Sequence, residues 1–446
     1  MIYLDNAATS FPKPQCVAES MLDFTTNIGA SAGRAAYKSS ISSSRLLHAT
    51  RRQIAELVGF KNPSRIFFTY NATYAINFAL YGILRQNDKV LITQIEHNAI
   101  MRPLKFLESS RNIELREIPV SQDLRLDLQK ARELAKGVRL IACVGGNNVT
   151  GAILPLDELR AIARESGAIL LVDATQLLGV YPFSSDGIDI ICGNAHKGLL
   201  APMGVGFCVV GENVEFESLV FGGTGSKSWE ITQPNFMPDK FESGTHNMHG
   251  ISGLNSSLAW LKNYGIENIF KKENELRTRL EVGLRGIPKI KIIEVFKGYQ
   301  TTGILSFTCP NLSKMADLLD RRFDICVRAG LHCSPMTHKS IGTYSIDGNT
   351  TTNDSYNLAR NTSENPARNL GNLSENIGNL AWNLSKNTNQ KIAENTKNLI
   401  KNIPNNTHKK MLYKNSGTIR LSPGVFTTSE DIDFAIEAIK IITKEL

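Results

Sequence analysis

The sequence predicts an α/β protein with a mostly parallel central sheet and a second, smaller α+β domain. Three observations carry this reading. The chain has 446 residues, too many for one small core. Short apolar runs alternate with amphipathic helical stretches through its first 260 residues. Polar, glycine-containing turns follow those runs, where layered α/β proteins keep their ligand sites.

Taken in order, Val90 to Thr93, Val138 to Val144, Ala168 to Val172 and Ile188 to Cys192 are short, bounded and apolar throughout. That pattern fits parallel strands buried on both faces. Ile66-Phe67-Phe68 and Val205 to Gly211 read as further strands. Leu156 to Arg164 between them is an amphipathic helix. The boundaries expected are 17–260 for the large domain, with 1–16 and 261–446 forming the smaller one. The smaller domain should hold a helix near Lys271 to Leu284, strands at Lys291 to Val295 and Gly303 to Phe307, and an amphipathic helix from Glu430 to Ile439. Residues 347–415 differ in composition: Asn349, Asn353, Asn357, Asn361, Asn365 and Asn369 recur every four positions. Asn is a poor helix former, and long surface insertions cost little closure entropy. The spacing is close to helical, and we read this segment as a tolerated insertion in the smaller domain, for which disorder or partial order is as good an expectation as a helix.

Composition excludes several classes. Hydrophobic residues make up 42%, ordinary for a globular protein. No apolar run spans a bilayer, and no secretory pattern opens the sequence at Met1. The seven cysteines, at 16, 143, 192, 208, 309, 326 and 333, show no paired spacing. Such a set suits a reducing cytoplasm and argues against a zinc site or a disulfide framework, so no metal is expected. The net charge is +8, but residues 347–415 carry nine Lys/Arg against five Asp/Glu. No basic run is interleaved with aromatics, so neither nucleic acid nor membrane is an expected partner.

The chemistry lies in the turns. Asp173 ends an apolar run, and Lys197 follows within Gly193-Asn194-Ala195-His196-Lys197-Gly198. A Lys for a Schiff base and an acid for a pyridinium nitrogen are what a pyridoxal-phosphate site needs; alone, each is an ordinary loop residue. Thr69 to Thr73 opens a helix whose N-terminus suits a phosphate, although simple N-capping explains it equally. His97 follows another strand; placed over a ring it would stack on it and move protons as a catalytic residue, or it is merely structural. Cys333 is the cysteine without apolar flanks, among Gly330, His332, Ser334 and Pro335.

Together these motifs resemble the class V aminotransferase group. The resemblance rests on Tyr3-Leu4-Asp5-Asn6-Ala7-Ala8-Thr9, Glu96-His97-Asn98, Asn148-Val149-Thr150-Gly151, Asp173-Ala174-Thr175-Gln176, His196-Lys197-Gly198 and Phe241 to Asn247. Arg328-Ala329-Gly330-Leu331-His332-Cys333 resembles the cysteine loop of class II cysteine desulfurases of the SufS type. Gly222-Gly223-Thr224-Gly225 with Gln233-Pro234 is most similar to a desulfurase-like subfamily whose members often lack an assigned role.

The resemblance implies fold type I of the pyridoxal-phosphate enzymes and pyridoxal 5'-phosphate as cofactor. It implies Lys197 as the Schiff-base lysine, Asp173 at the ring nitrogen, Gln176 at the ring hydroxyl and His97 on the ring face. Ala72, Thr73 and His196 would hold the phosphate, with Thr245 reaching over from the second subunit of a homodimer. Asn148, Arg328 and Arg420 would hold the substrate carboxylate, and Cys333 would take sulfur from L-cysteine as a persulfide, releasing L-alanine. A cytoplasmic enzyme passing sulfur to an acceptor protein, in iron–sulfur cluster assembly, is implied with it. Selenocysteine lyase, β-elimination, transamination and a non-catalytic scaffold are the alternatives. Two positions depart from the pattern: Asn194 stands where Ser or Thr is usual, and Tyr37 where His is common.

Overall fold

The computed structural model describes residues 1–33, 37–344 and 416–446. The predicted Asn-rich segment therefore lies outside the described residues.

Within them, seven strands form the central sheet: β1 (Ile66–Thr69), β2 (Lys89–Thr93), β3 (Glu114–Ile118), β4 (Leu140–Val144), β5 (Ile169–Asp173), β6 (Ile190–Asn194) and β7 (Gly206–Val210). Their order across the sheet is β1-β7-β6-β5-β4-β2-β3. The five strands from β3 to β6 run parallel, and β7 pairs antiparallel with both β6 and β1. The four runs read as parallel strands are thus parallel strands. β4 is buried at every position, as a strand covered on both faces must be. Helices Ala72–Ile83, Asn98–Ser110 and Leu156–Ser166 connect the strands. The first is capped by the Asn71 side chain, which accepts from Tyr74 N at 3.2 Å. The last stops at Gly167, in the left-handed conformation that glycine adopts at helix ends.

A second sheet has the order β10-β11-β9-β8, built from β8 (Lys291–Ile292), β9 (Leu305–Thr308), β10 (Arg328–Gly330) and β11 (Thr418–Leu421). Strand β8 is shorter than the run to Val295 predicts, because Phe296 N bonds to Asp123 O and draws the chain away toward the large sheet. Helix Leu312–Phe323 buries Leu312, Met315 and Leu319 on one face. The C-terminal helix, Ser429–Thr443, starts with a reciprocal Thr428–Asp431 capping box and buries Ile432, Ala435, Ile439 and Ile442. These residues pack with Leu4, Leu305, Phe307, Ile419 and Leu421 into a core separate from that of the large sheet. The N-terminus joins it, since Ile2–Tyr3 pairs in parallel with Ile325–Cys326.

Candidate active site

The turns after β1, β2, β4, β5 and β6 converge at one end of the large sheet. Ala72, Thr73, His97, Asn148, Asp173, Gln176, Asn194 and Lys197 line a single cleft there. Most of the predicted ligand set is therefore brought together.

Each side chain has a local reason for its pose. Asp173 is the last residue of β5 and is buried, with Oδ1 accepting from Thr175 N at 3.0 Å. Gln176, one turn further, donates from Nε2 to Ala7 O at 3.0 Å and so binds the N-terminal segment to the cleft wall. Lys197 follows β6; its carbonyl accepts from Leu200 N, closing the turn. Burial pushes its amine down to about 8; the Arg420 guanidinium lowers it further and Asp173 opposes. Such an amine sheds its proton far more readily than an exposed lysine.

His97 caps the helix Asn98–Ser110, with Nδ1 accepting from Ala99 N at 3.0 Å. That bond assigns the ring proton to Nε2. Burial lowers its pKa to about 4 against the opposing pull of Asp173, so the imidazole is neutral at pH 7. Its neighbour Glu96, to which the sequence reading gave no role, is fully buried. Glu96 accepts from Thr93 N and Oγ1 and, at 2.9 Å, from Val144 N, bracing the ends of β2 and β4 against each other. Burial raises its carboxyl to about 8.

His196 offers a contrast. Its carbonyl accepts from Thr9 Oγ1 and Ser10 N, while its buried Nδ1 has no partner. Burial and the nearby Lys197 and Lys13 lower its pKa to about 4. Thr175 Oγ1 and Asn194 Oδ1 are likewise buried without partners. Thr245 is exposed on the loop 241–247 and does not line this cleft.

Arg328 and Arg420 face each other as register partners on β10 and β11. Arg420 is buried, donating to Asn148 O at 2.9 Å and to Asp5 Oδ1 at 2.7 Å, and its Nε is unpartnered. Burial lowers its pKa, Asp5 opposes that, and Arg328 lowers it again. Cys333 is exposed. Its carbonyl accepts from Asn98 N at 2.9 Å, which places it beside the His97 turn. Sequence reasoning passed over Asp5 and Ser334. Asp5 stood inside a quoted motif, but nothing in the spacing tied it to a residue 415 positions away.

A match to the aminotransferase class-V family covers residues 2–350. The chain belongs to that family. A protein named "Probable cysteine desulfurase" from Synechocystis is 30% identical over 353 residues, covering 76% of this chain and 83% of the relative. The cysteine desulfurase of Cereibacter sphaeroides is 30% identical over 343 residues, covering 75% and 83% respectively. Among solved structures, the apo cysteine desulfurase of Thermococcus onnurineus superposes with a TM-score of 0.80 at 23% identity, covering 100% of this chain and 95% of that one. An Escherichia coli cysteine desulfurase gives 0.75 at 22%, covering 100% and 95%. These likenesses establish a shared fold of the class V type.

Proposed function

We propose that the protein is a pyridoxal-phosphate-dependent cysteine desulfurase that converts L-cysteine to L-alanine and receives the sulfur on Cys333. The observation that carries this reading is an exposed thiol, Cys333, tied by its carbonyl to the His97 turn and near enough to act electrostatically on a depressed lysine, Lys197, in a cleft that also holds a buried acid, Asp173. The family membership and the curated relatives support it.

The cleft fits the cofactor. Three buried polar atoms there or beneath it, Thr175 Oγ1, Asn194 Oδ1 and His196 Nδ1, lack partners, and buried polar groups are rarely left so. The helix beginning at Ala72 directs backbone N–H groups into the same space, a natural seat for phosphate. Lys197, Asp173, Gln176 and His97 would hold the ring, and Ala72, Thr73 and His196 the phosphate. Asn194 would take the place of the usual hydroxyl. When bound, pyridoxal phosphate supplies the electron sink.

The protein's own groups supply the rest. Arg420, with Arg328 and Asn148, grips the substrate carboxylate; a guanidinium suits that task because it donates two parallel hydrogen bonds. Lys197 Nζ, held at about 8, is matched to moving the proton at substrate Cα near neutral pH. The Cys333 thiolate then attacks the substrate sulfur. An S–S bond forms, the C–S bond breaks, and its electron pair stays on carbon, which takes a proton to give alanine.

We infer a homodimer in which Thr245 completes the partner's phosphate site. Support comes from exposed Phe221, Trp229 and Ile231 on the segment preceding that loop. A division into two domains is part of the same proposal and has the support of two separate cores. The helix Met248–Tyr264 runs through 260/261, however, and Leu261 and Ile269 pack in the large core, so the boundary falls later than that point. A sulfur-acceptor protein, iron–sulfur cluster assembly as the destination, and a cytoplasmic setting also belong to the proposal. Among the described residues no helix is long and apolar enough to cross a membrane.

The test is alanine and persulfide formation from L-cysteine by the purified protein beside Cys333→Ala. Both products should appear with the native protein and be lost in the variant. Bound cofactor with neither product would refute the assignment.

A further inference from the structure

His332 and Cys333 are consecutive non-glycine residues in the left-handed region, at φ of 50° and 59°. L-residues avoid that conformation, so surrounding contacts must impose it. Two of the contacts flanking the thiol meet on one side chain. Asn148 Nδ2 donates to His332 O at 2.7 Å, and Ser334 Oγ donates to Asn148 Oδ1 at 2.5 Å. The carbonyl can only accept, so the amide orientation is fixed, and with it the direction of the Ser334 bond. Asn148 and Ser334 are both buried, the latter completely. The main-chain oxygen of Asn148 meanwhile accepts from Arg420, and the residue lines the cleft. One of its two amide hydrogens serves His332. The other remains for a ligand.

We propose that Asn148 and Ser334 form a clasp that positions Cys333 and makes its loop sensitive to occupancy of the carboxylate site. Ser334 is a positioning residue: it acts on the thiol through Asn148 and touches no reacting atom. The inference rests on the functional reading above in taking Cys333 as the sulfur acceptor and Asn148 with Arg420 as the carboxylate site. A carboxylate held by the free Asn148 hydrogen and by Arg420 tightens the residue that pins both sides of Cys333. An empty site leaves the strained pair restrained by the clasp, the Asn98 bond and the contacts of His332 Nε2 with Thr418.

The experiment is hydrogen–deuterium exchange of the full-length protein over residues 331–335, with and without L-alanine as the carboxylate probe. Native, Ser334→Ala and Ser334→Thr proteins are compared. Loss of one buried hydrogen bond should raise exchange of this segment about fivefold in Ser334→Ala. Exchange in the large-sheet strands should be unchanged, and Ser334→Thr should restore the native rate. L-alanine should slow exchange in the native protein but not in Ser334→Ala. Native-like exchange in Ser334→Ala would overturn the clasp. Equal protection by L-alanine in both proteins would overturn its coupling to the carboxylate site. Absence of desulfurase activity alongside the expected exchange pattern would leave the clasp standing and remove only the desulfurase reading.

Discussion

Replacing Glu273 by Gln should stabilise this protein, and only in neutral or alkaline solution. Glu273 lies on the helix Ile266–Leu284 and is 93% buried. Its carboxyl faces a chamber of about 40 Å³ that is also lined by Thr302 and Ser422. The nearest base in sequence, Lys272, donates to Val425 O at 2.7 Å and lowers the carboxyl's pKa only in part. With only that partial offset to desolvation, the Glu273 carboxyl is pushed up from 4.5 to about 8. The sign follows from linkage. The folded state holds the proton more tightly than the unfolded one, so the group's contribution is intact below 4.5. It declines from there until about 8 and is flat beyond. At roughly 1.4 kcal/mol per pH unit, the full span is about 4–5 kcal/mol. A neutral amide of the same shape escapes the loss. Urea denaturation of both proteins at pH 5 and pH 8.5 measures it: the variant should match the wild type at the lower pH and exceed it at the higher. An equal difference at the two pH values would show that Glu273 is not held neutral.

Other substitutions probe separate features. Glu242 binds Arg51, Phe68 N and His246 in the interior, and these partners hold its carboxyl low against burial. Glu242→Gln strands the Arg51 charge and should cost about 3–5 kcal/mol by denaturation at pH 7. Because the native carboxyl is depressed, this penalty should shrink as pH falls below its ordinary range. Asp5→Ala releases one arm of Arg420 and should raise KM for L-cysteine about tenfold with a smaller change in kcat; an unchanged KM would remove Asp5 from the carboxylate site. Gly179 has φ of +84°, and a Cβ there would stand 2.2 Å from Gly198 O beside the Lys197 turn. Gly179→Ala should lower Tm by several degrees.

Much of this site was readable before any coordinates, for a physical reason. Each ligand-bearing turn follows a strand buried on both faces, and such strands announce themselves as unbroken apolar runs. Glu114–Ile118 escaped because an edge strand has one wet side, so its Glu-Leu-Arg-Glu-Ile pattern offers no run. The antiparallel direction of β7 was equally hidden, since a buried strand has the same composition either way. Lys197 and Asp173 gained meaning from residue type and order. The Arg420–Asp5 pair and the Asn148–Ser334 bond come from chain crossings that only the folded backbone defines. The neutral state of His97 was unreadable too, because it depends on burial and on one amide hydrogen.

The hydrogen bond from Gly417 N to Thr343 O, 2.8 Å long, makes two positions 74 residues apart into immediate neighbours. The cysteine turn and β10 precede that junction, and β11 with Arg420 follows it and pairs back with β10. The same bond closes the chain between 343 and 417 into a loop. Closing a loop costs only about 0.6 kcal/mol for each doubling of its length, so a change in the number of residues between the two ends carries little penalty. Selection on catalysis would then leave the sequence between them largely unread, while every residue that contacts substrate remains under full scrutiny.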